Sequence, residues 1–108
     1  MLLLTTTGRR SGKRRTTPLG YFADEGRYVI VGSNAGFNYH PAWYHNIKAN
    51  PRVTIQVKDK ALNATAEVAE PAERQRLWDK LMTIAPLYGG YEKQTKREIP
   101  LVVLHPDK

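Results

Sequence analysis

Short apolar runs separated by turn residues dominate the chain, a pattern typical of a β-rich fold. Leu2 to Thr7 predicts the first strand, because apolar and β-branched residues run up to the breaker Gly8. A returning strand is predicted at 15–22, where Pro18 lacks a backbone N–H and therefore belongs at a sheet edge or a bulge. Four more strands are predicted, at 28–31, 52–57, 63–70 and 101–104.

Two of these predicted strands differ in their alternation. In 52–57, Val53, Ile55 and Val57 alternate with polar neighbours, which predicts a strand with one buried face. Residues 101–104 are apolar throughout, which predicts burial on both faces.

Two segments between the strands have the apolar spacing of helices. The first begins at Pro41, places Trp43 and Ile47 on one face, and ends at Asn50–Pro51. The second begins at Pro71 and carries an apolar stripe along one face. That stripe is formed by Leu77, Trp78, Leu81 and Met82.

The connecting segments 34–38 and 85–90 are predicted to be loops. Six short strands with two inserted helices predict a mainly β fold, a small antiparallel barrel rather than alternating strands and helices. At 108 residues the chain is expected to form a single domain, 1–108.

Charge and cysteine content narrow the function classes. Seventeen Lys and Arg stand against ten Asp and Glu, a formal charge of +7, so a negatively charged partner is expected. The absence of cysteine excludes disulfides, thiolate metal sites and a cysteine nucleophile. Leu2–Leu4 is too short for a signal sequence or a membrane span, so a cytoplasmic protein is expected. A strand that begins directly after Met1 is compatible with a further segment upstream in the natural protein.

The densest feature of the sequence is a basic turn at 8–17. Five of the seven residues 9–15 are Lys or Arg, and they are interrupted by Ser11 and Gly12. Small residues allow the backbone to approach a ligand closely, so this segment predicts an anion site. A solvated basic turn is the alternative, and the charge pattern alone leaves the two evenly balanced. The spacing does not match a nucleotide-triphosphate P-loop.

A second feature is the segment Gly32-Ser33-Asn34-Ala35-Gly36, which directly follows a predicted strand and precedes a helix start. Small residues and free helix amides would let a flat ring lie against the backbone. The alternative is an ordinary connection with Trp43 in the core.

Histidines and tyrosines suggest further chemistry. His40 and His45 are five residues apart and do not share a helix face, so no metal site is predicted, and His40 is expected to cap the helix. Tyr88 and Tyr91 flank two glycines and could form a mobile aromatic wall over a ligand. An ordinary surface loop is the alternative.

In this order, the segments resemble the deazaflavin-dependent nitroreductase family, whose split β-barrel is similar to that of flavin-binding pyridoxine-phosphate oxidases. The matching stretches are 3–19, 33–36, 40–46, 50–51 and 91–100. The resemblance implies a reductase that uses the deazaflavin coenzyme F420. Its reduced form would pass a hydride to an electron-poor small molecule such as a quinone, an enone or a nitroaromatic.

The resemblance also assigns roles to residues. It implies that the phosphate and glutamate tail of the coenzyme bind Arg9, Arg10, Lys13 and Arg15, with Thr16 and Pro18 lining the adjacent groove. Val31, Ser33, Asn34 and Ala35 would lie beside the deazaflavin ring, and Pro41, Ala42, Trp43 and Asn46 would close its other side. The acceptor oxygen would be hydrogen-bonded by Ser33, Tyr88 and Tyr91, with Tyr91 or water supplying the proton.

Two alternatives stay open. The same barrel could hold FMN, or the basic hairpin could bind nucleic acid, although no aromatic residue for base stacking lies between Gly8 and Gly20. No nucleic-acid partner is therefore expected. The sequence is compatible with a homodimer and with peripheral contact at the inner face of the membrane, without encoding either.

Overall fold

The computed structural model describes residues 1–107 and contains one antiparallel sheet of seven strands. Along the sheet the strands follow the order β2-β1-β5-β6-β7-β4-β3. The strands are β1 Leu2–Thr7, β2 Arg14–Leu19, β3 Tyr21–Asp24, β4 Arg27–Val31, β5 Arg52–Val57, β6 Lys60–Val68 and β7 Leu101–Pro106.

The sheet curls into an open half-barrel whose two edge strands, β2 and β3, are consecutive in the chain. Gly20 lies between them, so the predicted single strand at 15–22 is two strands, and the sheet has seven rather than six. Sequence pattern alone did not reveal this break, because residues on both sides of Gly20 have strand character. Pro18 lies in edge strand β2, opposite Leu3, as its missing N–H predicted.

Three helices and one short turn accompany the sheet. They are a 3₁₀ turn at Asn34–Gly36, α1 at Ala42–Ala49, α2 at Pro71–Ile84 and α3 at Tyr88–Gln94. The predicted loop at 85–90 is wrong from Tyr88 onward, because α3 begins at that residue. Tyr88 and Tyr91, three residues apart, both pack on the core, and that burial offsets the low helix propensity of the two glycines.

Apolar residues form one core cluster on each face of the sheet. The first, which includes Leu4, Ile55 and Val102, is covered by Trp43 and Ile47 of α1. In the second, Leu77, Trp78 and Leu81 of α2 pack on Val29, Leu101 and Val103. Strand β7 therefore contributes to both clusters, and the predicted burial of 101–104 on both faces is confirmed.

A cluster of charges, the Asp24 cluster (Asp24, Arg27, Glu73, Arg76 and Lys80), joins the β3–β4 turn to α2. The Asp24 carboxylate, only 2% exposed, accepts hydrogen bonds from Arg27 at 2.6 Å, Arg76 at 2.8 Å and Lys80 at 3.0 Å. Glu73 pairs with Arg27 and Arg76 at 2.9 and 3.0 Å. The hydrogen bond from Arg76 is the largest cause that holds the pKa of Asp24 well below its usual range, and it outweighs the opposing effect of burial.

Candidate functional site

A cavity of about 490 Å³ lies between the end of β2, the loop after β4 and the N-terminus of α1. We call it the ring cavity. The first wall is the end of edge strand β2, and the second is the 3₁₀ turn. The third wall is the first turn of α1 together with the ring of Tyr88. Its lining residues are Thr17, Pro18, Leu19, Gly20, Val31, Ser33, Asn34, Ala35, Tyr39, Pro41, Ala42, Trp43 and Tyr88.

The basic turn is closed at its base by backbone hydrogen bonds. The Gly8 N–H donates to the Lys13 carbonyl at 2.7 Å, and the Gly12 N–H donates to the Gly8 carbonyl at 3.0 Å. Gly12 has a positive φ of 72°, and a Cβ on Gly8 would approach the Ser11 hydroxyl to 2.7 Å. The positive φ favours glycine at position 12, so the conformation of the turn itself accounts for this residue; the predicted close approach of a ligand to the small residues stays a prediction.

The cations of the basic turn divide between two faces of β2. Arg9, Arg10 and Arg15 line a shallow hollow together with Asn46. Arg14 points the other way, because its guanidinium donates to Thr54 of β5 at 2.9 Å and to Thr7 of β1 at 3.3 Å. Lys13 is exposed and lies outside the hollow's lining.

None of the salt bridges formed among residues 1–107 involves a cation of the basic turn. Arg9, Arg10 and Arg15 thus line the hollow without a salt bridge to a carboxylate of residues 1–107. Their positive charges would attract an anionic ligand.

Asn46 fixes the start of the basic turn on α1. Its side-chain oxygen accepts a hydrogen bond from the Arg9 backbone N–H at 3.1 Å, and its amide nitrogen donates to Thr6 at 3.2 Å. The residue is 6% exposed. Asn46 therefore lines the hollow and also holds the cationic segment at a set position beside the helix.

The 3₁₀ turn that forms one wall of the ring cavity has a strained backbone. Asn34 and Ala35 have positive φ angles of 46° and 53°, and Gly36 has 82°. Asparagine and glycine adopt this region readily, whereas for alanine it costs about 1–2 kcal/mol. Surrounding contacts must therefore maintain the conformation, and one of them is the Asn34 side chain, which donates to the Tyr39 carbonyl at 3.1 Å.

Arg97 is a second restraint on this loop and makes three hydrogen bonds to it. Its guanidinium donates to the Ser33 carbonyl at 2.9 Å, the Phe37 carbonyl at 3.1 Å and Nδ1 of His40 at 3.1 Å. Burial and, second, the charge of Arg97 lower the pKa of His40, which is consistent with a neutral ring that accepts this bond. The prediction that His40 caps α1 is wrong, because Pro41 occupies the N-cap with no side-chain cap bond, and the His40 ring is engaged by Arg97.

Tyr88 and Tyr91 occupy different positions relative to the ring cavity. Tyr88 lines it, and its hydroxyl lies 3.4 Å from where a Cβ on Gly20 would be. Burial raises the pKa of Tyr88, so the phenol keeps its proton at neutral pH. Tyr91 does not line the cavity and instead makes an edge contact with the Tyr88 ring, 5.7 Å between centroids.

The structure brings most of the expected site residues together in two adjacent groups. Pro18, Val31, Ser33, Asn34, Ala35, Pro41, Ala42, Trp43 and Tyr88 line the ring cavity, and Arg9, Arg10, Arg15 and Asn46 line the hollow. Lys13, Thr16 and Tyr91 line neither. The Thr16 hydroxyl pairs with that of Thr5 at 2.8 Å, and Thr17 lines the ring cavity instead.

Trp43 satisfies both interpretations of its sequence position. It belongs to the first core cluster at 6% exposure and also lines the ring cavity. Sequence reasoning missed Thr17, Leu19, Gly20 and Tyr39 as lining residues and Arg97 as the residue that holds the loop.

Residues 1–107 offer neither a cluster of metal ligands nor a membrane-spanning helix. Within that range no group of three His, Cys, Asp or Glu side chains could hold a metal ion. No helix in the same range is long and apolar enough to cross a membrane.

A family model described as F420H(2)-dependent quinone reductase matches residues 1–106. An F420H(2)-dependent quinone reductase of Mycobacterium tuberculosis is 43% identical over 106 residues, which cover 95% of this chain and 71% of the relative. A solved F420-H2 dependent reductase, FDR-A, is 41% identical with a TM-score of 0.87, covering 96% of this chain and 92% of its own.

Further solved structures bear on assembly and fold. One described as a domain-swapped dimer is 41% identical, with a TM-score of 0.88 over 96% of this chain and 78% of its own. A FAD-binding protein from Mesorhizobium loti has a TM-score of 0.69 over 99% of this chain and 80% of its own, at 10% identity, and so shows the fold alone. The predicted split barrel is confirmed by such neighbours.

Proposed function

The chain belongs to the F420H(2)-dependent quinone reductase family, and from that premise we propose that it reduces a quinone with hydride from reduced coenzyme F420. The acidic tail of the coenzyme binds the basic turn, and its ring lies in the ring cavity. When bound, the coenzyme supplies the hydride; the protein binds, orients and excludes water.

The observation that carries this proposal is the order of the two depressions along β2. Arg15 lies in the hollow, and Thr17 to Gly20 follow directly in the ring cavity. Helix α1 also borders both depressions: Ala42 and Trp43 line the ring cavity, and Asn46, about one turn later, lines the hollow. A molecule with a planar ring at one end and anionic groups at the other fits both depressions at once.

The chemistry of the donor groups also fits the coenzyme. Guanidinium groups bind phosphate and carboxylate oxygens through paired hydrogen bonds, each worth roughly 1.5–3 kcal/mol. The ring cavity offers backbone and small side chains of Ser33, Asn34 and Ala35 on one wall and the Trp43 side on the other. The small residues at 33–35 let a flat heterocycle lie close to the backbone.

Ser33 and Tyr88 both line the ring cavity, which supports a role for them in binding the acceptor. As hydride reaches a quinone, negative charge develops on its oxygen, and a proton must follow to give the hydroquinone. The Tyr88 phenol is protonated at neutral pH and lies at the cavity wall, so we assign it as hydrogen-bond donor to this oxygen. Because burial raises its pKa and makes it a weaker acid, water supplies the proton. The edge contact from Tyr91 positions the Tyr88 ring.

The reaction itself provides the test. Optical oxidation of the reduced coenzyme, without oxygen, is measured with a panel of quinones, enones and nitroaromatics, and reduced FMN is offered as the competing donor. We expect turnover with quinones and the deazaflavin. Failure to oxidise the reduced coenzyme with every quinone, or equal activity with reduced FMN, would contradict the proposal.

A substitution localises the chemistry. Tyr88→Phe removes the hydroxyl and is expected to lower kcat tenfold or more. The matched control is Tyr28→Phe, on β4 and outside the ring cavity, which should leave kcat unchanged.

The proposal extends to assembly and location. A homodimer is supported by the relative described as a domain-swapped dimer, and light scattering would distinguish one chain of 12.3 kDa from two. We propose that the reaction takes place in the cytoplasm and that the acceptor comes from solution or from the inner face of the membrane.

A further inference from the structure

A second cavity, of about 250 Å³, opens beside the ring cavity between β3 and the end of α2. We call it the side cavity. Phe22 of β3 and Leu81 of α2 are buried within it, while Ile84 and Leu87 lie at its surface. None of its lining residues carries a charge, in contrast to the hollow of the basic turn.

The side cavity adjoins the ring cavity. Gly20, Val31 and Tyr88 line both, so the Tyr88 ring lies between them. Along the chain, the hollow, the ring cavity and the side cavity follow one another at Arg15, 17–20 and 20–22. The lining of these three neighbouring depressions changes in that order from cationic, through mixed, to uncharged.

The rim of the side cavity exposes unusual apolar surface. Ile84 and Leu87 are 56% and 61% exposed, and they are among few large apolar side chains of residues 1–107 left in solvent. Neighbouring exposed apolar side chains at the mouth of an apolar cavity are typical of a surface that an apolar ligand covers.

The side cavity has the position and chemistry for one part of the acceptor. A quinone head that accepts hydride must lie against the ring in the ring cavity, within reach of the Tyr88 hydroxyl. Any aliphatic substituent on that head must leave the ring cavity, and leaving past Tyr88 into an uncharged pocket avoids both water and the guanidinium groups.

We propose that the side cavity binds the aliphatic side chain of the quinone acceptor and so sets a preference for alkylated quinones. This assignment rests on the proposed function for the identity of the head group. Each methylene that leaves water for the cavity should tighten binding about fourfold, until the cavity is filled.

Binding, rather than turnover, gives the direct test. Benzoquinones that differ only in n-alkyl chain length are titrated against the protein with and without oxidised coenzyme, and quenching of the fluorescence of its two tryptophans, Trp43 and Trp78, reports binding. We expect Kd to fall with each added methylene and then level off. A Kd independent of chain length would overturn the assignment.

Two kinds of variant localise the effect. Ala85→Phe fills the cavity from its wall, and it should raise Kd for a long-chain quinone at least tenfold more than for the unsubstituted one. Ile84→Ser with Leu87→Ser changes exposed positions with little risk to folding, and should reduce the gain per methylene. The matched control is Leu3→Ser, an exposed leucine on β1 outside the cavity, which should retain the full chain-length dependence.

The outcomes separate the two claims. Chain-length-dependent binding without any oxidation of the reduced coenzyme would refute the proposed function and leave the side cavity as an apolar-chain site. Turnover with unchanged chain-length dependence in both kinds of variant would keep the function and refute the side cavity.

Discussion

The basic turn and the Asp24 cluster both gather cationic side chains, but only the Asp24 cluster contains carboxylates. In that cluster Arg27, Arg76 and Lys80 surround a buried acid and tie α2 to the sheet. In the basic turn, Arg9, Arg10 and Arg15 line a hollow without a salt-bridge partner among residues 1–107. The same residue types therefore stabilise the fold in one place, and in the other they leave cationic surface that we propose binds an anionic ligand.

The largest expected effect is on binding at the basic turn. Arg9→Ala with Arg15→Ala should raise Kd for the coenzyme on the order of 100-fold, because two charge-assisted contacts of at least roughly 1.5 kcal/mol each are lost. Isothermal titration measures Kd. Lys58→Ala with Lys60→Ala removes the same charge from the β5–β6 hairpin, and an equal loss there would show that only net charge matters.

The Asp24 cluster should respond through stability instead. Asp24→Asn should lower the free energy of unfolding by about 2 kcal/mol, because the buried carboxylate no longer pairs with its cationic partners. The loss is not larger because Arg76 and Lys80 are partly exposed and can be solvated by water. Urea unfolding measures the change. Coenzyme affinity of the folded variant should stay within twofold, and a large loss of affinity would break the contrast.

Acid should remove the same contribution. The folded-state pKa of Asp24 is depressed, chiefly by the Arg76 hydrogen bond, so its stabilisation is complete above the unfolded pKa of about 4. It is lost as pH falls toward the folded-state pKa. The stability difference between wild type and Asp24→Asn should therefore shrink from pH 6 to pH 2.5, and a constant difference would argue against a carboxylate effect.

The smallest expected effect is on stability at the basic turn. Arg9→Ala with Arg15→Ala should change the free energy of unfolding by no more than about 0.5 kcal/mol, because both positions are exposed. Any change should be a small increase, since the double variant removes repulsion between like charges. Urea unfolding at low and moderate salt measures this. A loss comparable to that of Asp24→Asn would mean that the turn is structural.

Much of the fold could be predicted from local pattern. Alternation in 52–57 and the apolar run 101–104 identify strands whose burial the structure confirms. The break at Gly20 and the helix at Tyr88 could not be predicted, because both depend on packing with distant residues. Tyr88 joins the second core cluster, and that contact, rather than the propensity of its glycine neighbours, makes the segment helical.

The candidate site divides in the same way. The cations and small residues of the basic turn stand out in the sequence, since their density and spacing are local. Arg97 does not, because its acceptors are carbonyls of Ser33 and Phe37, about sixty residues earlier in the chain. The role of Asp24 is equally hidden in the sequence, because its partners on α2, Arg76 and Lys80, are more than fifty residues away and reach it only once the helix is packed.

The central claim is that the cationic turn recognises the acidic tail of the coenzyme. The most direct test compares Kd for intact F420 with Kd for a deazaflavin fragment that lacks the phosphate and glutamates, in wild type and in Arg9→Ala with Arg15→Ala. We expect wild type to prefer the intact coenzyme on the order of 100-fold and the variant to lose nearly all of that preference, with fragment affinity unchanged. A variant that keeps the preference would contradict the account.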